Sequence, residues 1–147
     1  MMTMKKHKEY IDTVFQLARA VDPVFRARTA ACIVYKNKII SYGYCHNKTH
    51  PFQTRYAKNP DAVYFHAEVH AIKNALNIIS VDELRRATIY IARMKYDDNG
   101  KQIYGLSKPC DGCARCIEEF DLERIVYTAN GSEFLVEDHR GAKMHGD

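Results

Sequence analysis

Apolar residues at Ile11, Val14, Phe15, Ala18 and Val21 recur at helical spacing and predict an amphipathic helix over residues 7–21, ended before Pro23. Ala31 to Tyr35 is an unbroken apolar run that reads as a buried strand, and Asn37 turns it into Ile39, Ile40 and Ser41 to make a hairpin. After a polar segment, Val69, Ile72, Leu76 and Ile79 mark one face of a largely apolar helix over residues 66–79, the expected central buried helix. Thr88 to Ala92 is predicted as a third strand, Cys110 to Phe120 as a helix and Ile125 to Thr128 as a fourth strand. Asn130 and Gly131 precede Phe134 to Val136, and an Asn-Gly connection predicts that the last two strands form an antiparallel hairpin. Helices covering a mostly β-branched sheet imply an α/β chain with an α/β/α layering.

Composition narrows the class. The 147 residues suffice for one core and are too few for two, so residues 1–147 read as a single domain. Hydrophobic residues make up 46% and charged residues 27%, the range of ordinary globular proteins. The net charge of +4 suits a small anionic substrate and gives little support to a nucleic-acid-binding surface. Five cysteines suggest no disulfide framework and point to a reducing compartment. The start of the chain (Met1 to Lys8) lacks the apolar run of a signal peptide, and no stretch approaches a membrane span, so a cytoplasmic location is expected.

The candidate chemistry lies in two short segments, His66-Ala67-Glu68 and Pro109-Cys110-Asp111-Gly112-Cys113. One imidazole and two thiolates would leave the fourth position of a tetrahedral zinc ion open, the mark of a catalytic rather than a closed structural site. Glu68 lies two residues after His66 near a helix start, so both side chains can reach one cavity while the carboxylate stays free of the metal for proton transfer. Pro109 favours a helix start at Cys110, and cysteines three apart at a helix N-terminus share a face where the helix dipole favours thiolates. Both segments are therefore expected to start helices whose N-termini converge.

Two competing readings concern neighbouring residues. Cys116, three beyond Cys113, would close a structural Cys3His site if it joined the others, but that leaves Glu68 without a role. A small buried residue on the inner face of its helix is the better reading of Cys116. His70, four residues after His66, shares its helix face. The order H-x-E-x-H is not the H-E-x-x-H of zinc proteases, so a hydrogen-bonding or interface role is expected for His70 rather than ligation.

The paired H-x-E and P-C-x-x-C segments match the signature of zinc nucleobase deaminases, and from Arg28 to Tyr127 the sequence resembles the cytidine and deoxycytidylate deaminase superfamily. The resemblance implies a three-layer α/β/α cytidine deaminase-like fold with a mixed central sheet and, here, a C-terminal antiparallel hairpin. It implies that His66, Cys110 and Cys113 hold Zn2+ and that Glu68 shuttles protons while water displaces an exocyclic amine. Having His as the first ligand is like the deoxycytidylate branch, whereas the short terminal hairpin is like the cytidine branch. A homo-oligomer acting on a nucleotide or nucleoside, first of all deoxycytidine monophosphate, is what the likeness suggests. Deamination of a purine, editing of a base in nucleic acid and a non-catalytic zinc-stabilised module are the alternatives.

Substrate contacts are expected from two loops. The first, Tyr44 to Phe65, contains Asn47, Lys48, His50, Arg55, Tyr56 and Lys58 just before the zinc helix. Family members place an Asn two residues after a Gly at the second strand's end. Here Gly43 is followed by Tyr44, Cys45, His46 and Asn47, so either a bulge brings Asn47 into that place or Cys45 occupies it. Asn47 is the residue chosen, with Lys48 and Arg55 as candidates for a 5′-phosphate and Ala67 as a further contact beside the ligand His. The second loop, Arg93 to Lys108, turns at Asp98-Asn99-Gly100, and its Tyr96 and Tyr104, like Phe65, are candidates for stacking on a base.

Overall fold

The structure is a computed structural model that describes residues 3–21, 28–45 and 66–138. Its elements are α1 (Met4–Ala20), β1 (Arg28–Tyr35), β2 (Lys38–Tyr44), α2 (Ala67–Ala75), α3 (Val81–Leu84), β3 (Thr88–Tyr96), β4 (Gln102–Gly105), α4 (Asp111–Glu119), β5 (Arg124–Thr128) and β6 (Phe134–Asp138). The strands form one mixed six-stranded sheet in the order β2-β1-β3-β5-β6, with β4 paired to the far end of β3. Only β3 and β5 run parallel among the paired strands, and the connection between them contains α4, as a parallel pair requires.

The alternation of side chains along β3 explains the three layers. Tyr90, Ala92 and Met94 face α1 and pack with Ile11, Val14, Ala18, Cys32 and Val126. Ile89 and Ile91 face the other way, into a cluster with Val69, Ile72, Cys113, Cys116 and Ile117 of α2 and α4. Both faces of the central strands are thus covered, which is why β1 and β3 read as continuous apolar runs rather than alternating ones. Each fully buried Ile in these clusters contributes on the order of 2 kcal/mol of transfer free energy.

Helix α2 packs unusually close to β2. A Cβ placed on Gly43 would lie 2.3 Å from the Ala67 carbonyl oxygen and 2.3 Å from the Ala71 nitrogen, so only glycine admits the helix there. Ser41 Oγ donates to the Ala71 carbonyl at 2.9 Å, Asn74 Nδ2 donates to the Tyr42 carbonyl at 2.9 Å, and His70 Nδ1 accepts from the Tyr44 amide at 3.2 Å. These three contacts tie the helix to the outermost strand and satisfy edge groups that would otherwise be unpaired.

The β1–β2 hairpin turns through Lys36 and Asn37, both with positive φ (51° and 63°), the backbone of a two-residue type I′ turn. At the C-terminal end the antiparallel pairing of β5 and β6 is as expected, but the Asn-Gly connection is wider than two residues. The last ladder pair is Thr128–Phe134, and Ala129 N–H donates to the Glu133 carbonyl at 2.8 Å. Asn130 and Gly131 are instead held by β4 and the segment after it: Gly131 bridges to Tyr104 and Asn130 Oδ1 accepts from the Leu106 amide at 3.1 Å.

The segment 93–108 is not a loop throughout. β3 continues to Tyr96, turns where Asp97 Oδ1 accepts the Asn99 and Lys101 amides at 2.9 and 2.8 Å, and returns as β4. The helix expected over 66–79 ends at Ala75, and a short helix α3 with a Ser80–Glu83 capping box follows.

Candidate active site

His66 and Cys110 are the N-cap residues of α2 and α4, so the two helices begin at the same place. Neither cap has a side-chain hydrogen bond, which leaves the first-turn N–H groups and the positive ends of both helix dipoles directed at the site. Pro109 lies just outside the helix, before the cap. Cys113, in the first turn of α4, is fully buried.

His66 Nδ1 lies 3.7 Å from Cys110 Sγ and 3.3 Å from Cys113 Sγ, and the three donor atoms all lie within 4.8 Å of one another. A tetrahedral zinc ion bound by imidazole and thiolate has N-to-S edges of about 3.5 Å, so the spacing and the donor chemistry both fit zinc. Among the described residues this is the one group of three potential ligands that close together, and Cys116 and His70 do not join it. Cys116 is fully buried in the core cluster of α2 and α4, and His70 packs edge-on against the Tyr44 ring at 5.1 Å.

The electrostatics of the group depend on a shared proton. Donation by the Cys113 thiol, against the opposing effect of burial, draws Cys110 down to about 3, with His66 as a further donor. The same hydrogen bond and burial push Cys113 well above the usual thiol range. The two sulfurs therefore share a proton, which binding of a divalent cation would release. Burial works against charge on His66, but its hydrogen bond to Cys110 and the field of Glu68 raise its pKa.

Glu68 is 6% exposed and lies beside the trio without joining it. Burial raises its pKa, opposed by its own backbone N–H and by His66. A carboxyl group whose pKa is raised holds a proton more strongly than an exposed one, which suits it to accept one from water.

Cys45 follows β2 directly, with its amide donating to the Thr29 carbonyl at 3.2 Å, and its side chain packs in the cluster that contains Ala67 and Cys113. Burial pushes its thiol up to about 12, Glu68 and Cys110 add to the rise, and the Ala67 amide and Arg93 act against it. Cys45 is therefore a neutral thiol at the wall of the site. The bulge in β2 falls opposite the Ile33–Val34 step rather than at the strand end, and Cys45 lies beside the site, while Asn47 lies outside the described residues.

Ala67 is fully buried, with its N–H turned to the Cys45 sulfur and its carbonyl against Gly43. Asn47, Lys48 and Arg55, and with them Phe65, lie outside the described residues. Tyr104 packs on the α1 side, against Phe15 at 4.9 Å, and β3 alternation puts Tyr96 on that side too. Neither tyrosine faces the site. The sequence marked Gly43 only as the glycine at the second strand's end and Arg93 only as the start of a loop. A glycine inside a strand is the one signal that pointed to close backbone approach at residue 43.

A model of the cytidine and deoxycytidylate deaminase zinc-binding region matches residues 4–129. The chain belongs to this family, whose members are hydrolytic deaminases acting on a C–N bond. Among solved structures, it is similar to the dCMP deaminase of cyanophage S-TIM5 in apo form, at 15% identity and a TM-score of 0.61 over 87% of this chain and 86% of that one. The same phage enzyme in complex with dCMP and dUMP aligns at 18% identity and a TM-score of 0.60, covering 86% and 83% of the two chains. Guanine deaminase from Bacillus subtilis aligns at 19% identity and a TM-score of 0.51, covering 99% of this chain and 71% of that one. No curated protein matches the chain in sequence.

Proposed function

We propose that the chain catalyses zinc-dependent hydrolytic deamination of a cytosine nucleotide, first of all deoxycytidine monophosphate to deoxyuridine monophosphate with release of ammonia. The observation that carries this reading is the convergence of His66, Cys110, Cys113 and the buried Glu68 at the starts of two helices. Zinc held by the imidazole and the two sulfurs would acidify a water molecule and so supply the nucleophile near neutral pH.

The chain's own residues do the rest. Glu68 takes the proton of the attacking water and gives it to ring nitrogen N3, which makes C4 electrophilic. As the C4–N4 bond breaks, Glu68 carries the second proton of the added water from the new C4 hydroxyl to the amine, which leaves as ammonia while the C4 carbonyl forms; a C–O bond replaces the C–N bond with one water consumed. The helix N-termini favour the anionic sulfurs and the negative charge that develops on oxygen. Cys45, neutral and pressed against the Ala67 amide, forms the apolar wall beside Ala67 and excludes water from the reacting face. Asn47, Lys48 and Arg55 are proposed to contact the sugar and phosphate.

The likeness to the phage enzyme in complex with dCMP and dUMP supports a monophosphate substrate. The likeness to guanine deaminase supports a second reading, a purine base in the same site. A homo-oligomeric assembly belongs to the same proposal, to be checked by light scattering. The test of substrate is ammonia release from a panel of nucleosides, 5′-monophosphates, free purine bases and a short single-stranded DNA. Release from deoxycytidine monophosphate and not from guanine or DNA is expected; release from guanine alone would replace the cytosine reading with the purine one.

A further inference from the structure

Arg93 is a cation on the active-site face of the sheet that the reaction as described does not use. Ile89 and Ile91 point from β3 into the cluster formed with α2 and α4, and strand alternation puts Arg93 on the same face one step further along. It stands in a row that crosses the sheet. Gly105 of β4 pairs with Arg93, Arg93 pairs with Thr29 of β1, and the Thr29 carbonyl accepts the Cys45 amide. Neighbouring strands are about 4.8 Å apart and the Arg93 stem leans toward Gly105, on the side of β3 away from β1, so the guanidinium lies two strand spacings or more from Cys45 along this row. The charge of Arg93 is felt at the Cys45 thiol, which also feels Glu68 and Cys110.

The side chain is held, but its Nε–H is not satisfied. Its stem lies along the glycine of the neighbouring strand: a Cβ on Gly105 would come within 3.1 Å of both Arg93 Cγ and Cδ, so the absence of a side chain there makes the channel in which the stem lies. Arg93 Nε is buried and has no hydrogen-bond partner. Among the described residues no carboxylate pairs with this guanidinium. A buried Nε–H without a partner among the described residues is open to an acceptor from outside the chain, and an anionic oxygen is the one a guanidinium holds best. Its planar fork of donors matches the oxygens of phosphate, which it can bind through two parallel hydrogen bonds.

We propose that Arg93 binds the phosphate of the substrate and thereby selects a nucleoside monophosphate over the nucleoside. This rests on the deaminase reading above and names the group that recognises the far end of the substrate. The base would lie against Cys45 and Glu68, with the phosphate displaced along the Cys45–Thr29–Arg93 row. Arg93 is a specificity residue on this account, since it touches no reacting atom.

The test compares the zinc-loaded full chain with its Arg93→Gln and Arg93→Lys variants. Dissociation constants for deoxyuridine monophosphate, deoxyuridine and inorganic phosphate are measured by calorimetry, together with zinc content, Tm and kcat/KM for deoxycytidine monophosphate and deoxycytidine. In Arg93→Gln, affinity for the monophosphate is expected to fall by about 10²-fold relative to the nucleoside, with the heat of phosphate binding lost. The preference in kcat/KM for monophosphate over nucleoside should collapse by the same factor, through KM rather than kcat. Arg93→Lys should recover part of it, because lysine keeps the charge without the fork. Equal losses toward nucleoside and monophosphate, or a drop in Tm and zinc content in both variants, would overturn the proposal in favour of a structural role. Phosphate binding of undiminished affinity in Arg93→Gln would overturn it as well. A wild-type protein that binds phosphate through Arg93 but releases ammonia from no nucleotide would sustain the anion site and sink the substrate reading instead.

Discussion

Replacing Gly43 by alanine tests how α2 is positioned. The new methyl group would lie 2.3 Å from the Ala67 oxygen, 2.3 Å from the Ala71 nitrogen and 2.9 Å from the Ala71 Cα, all backbone atoms that no rotamer change can move. Ordinary contact needs about 1 Å more, so α2 as a whole must retreat from β2 by that amount. Overpacking of this kind costs about 3 kcal/mol, at the upper end of the usual range because the neighbour is a helix backbone. For a chain of 147 residues that corresponds to a Tm lower by about 10 °C. The same displacement carries the His66 cap and Glu68 away from Cys110 and Cys113, and a misplacement of about 1 Å can cost on the order of 10² in kcat/KM. Ser41→Ala is the control: it removes one buried hydrogen bond to the same helix at a cost of about 1 kcal/mol without pushing it. Thermal unfolding, zinc content and kcat/KM are measured on all three proteins. A Gly43→Ala protein with the Tm and activity of Ser41→Ala would refute the close approach as the device that positions the site.

Three further outcomes are expected. Glu68→Ala should lower kcat by about 10² to 10⁴ while zinc content is kept, and Tm should not fall, since burial already opposes the charged carboxylate; zinc lost with the activity would make Glu68 a ligand. Cys116→Ala should keep a full complement of zinc at a cost of roughly 1 kcal/mol, measured by metal analysis and denaturant unfolding. Burial of His7, aided by Arg124 and with its Nδ1 2.7 Å from the Tyr90 hydroxyl, lowers its pKa from 6.5. The folded state thus binds its proton less readily than the unfolded one, so His7 contributes stability that is present above pH 6.5 and lost as the pH falls through the depressed folded value. Unfolding curves across that window should show a shallower acid limb for His7→Gln than for the parent chain.

The sequence made the layers and the site legible for different reasons. The layers follow from periodicity: the helical recurrence from Ile11 to Ala18 and the unbroken runs of β1 and β3 each have one physical interpretation. The trio was legible because its chemistry needs one His and two Cys at the starts of helices, and little else puts Pro109, Cys110 and Cys113 in that spacing after His66-Ala67-Glu68. The β3–β4 hairpin was hidden because Asp97 to Lys101 is polar and the flanking Lys95, Gln102 and Ile103 are only partly buried, which blurs a period of two. The wider turn at Asn130-Gly131 could not be read locally, since the partners that hold it, Tyr104 and Leu106, come from that same hidden hairpin. Gly43, Cys45 and Arg93 owe their importance to neighbours brought up by the fold from other strands and from α2. A short polar stretch carries no record of such contacts.

The central claim is that His66, Cys110 and Cys113 hold the zinc on which deamination depends. The most direct measurement is ammonia release from deoxycytidine monophosphate by the protein as purified, after stripping with a chelator and after zinc is added back, with metal content measured at each stage. One zinc per chain is expected, with release lost on stripping and restored on reloading. Release that persists undiminished in protein shown to be free of zinc would contradict the account.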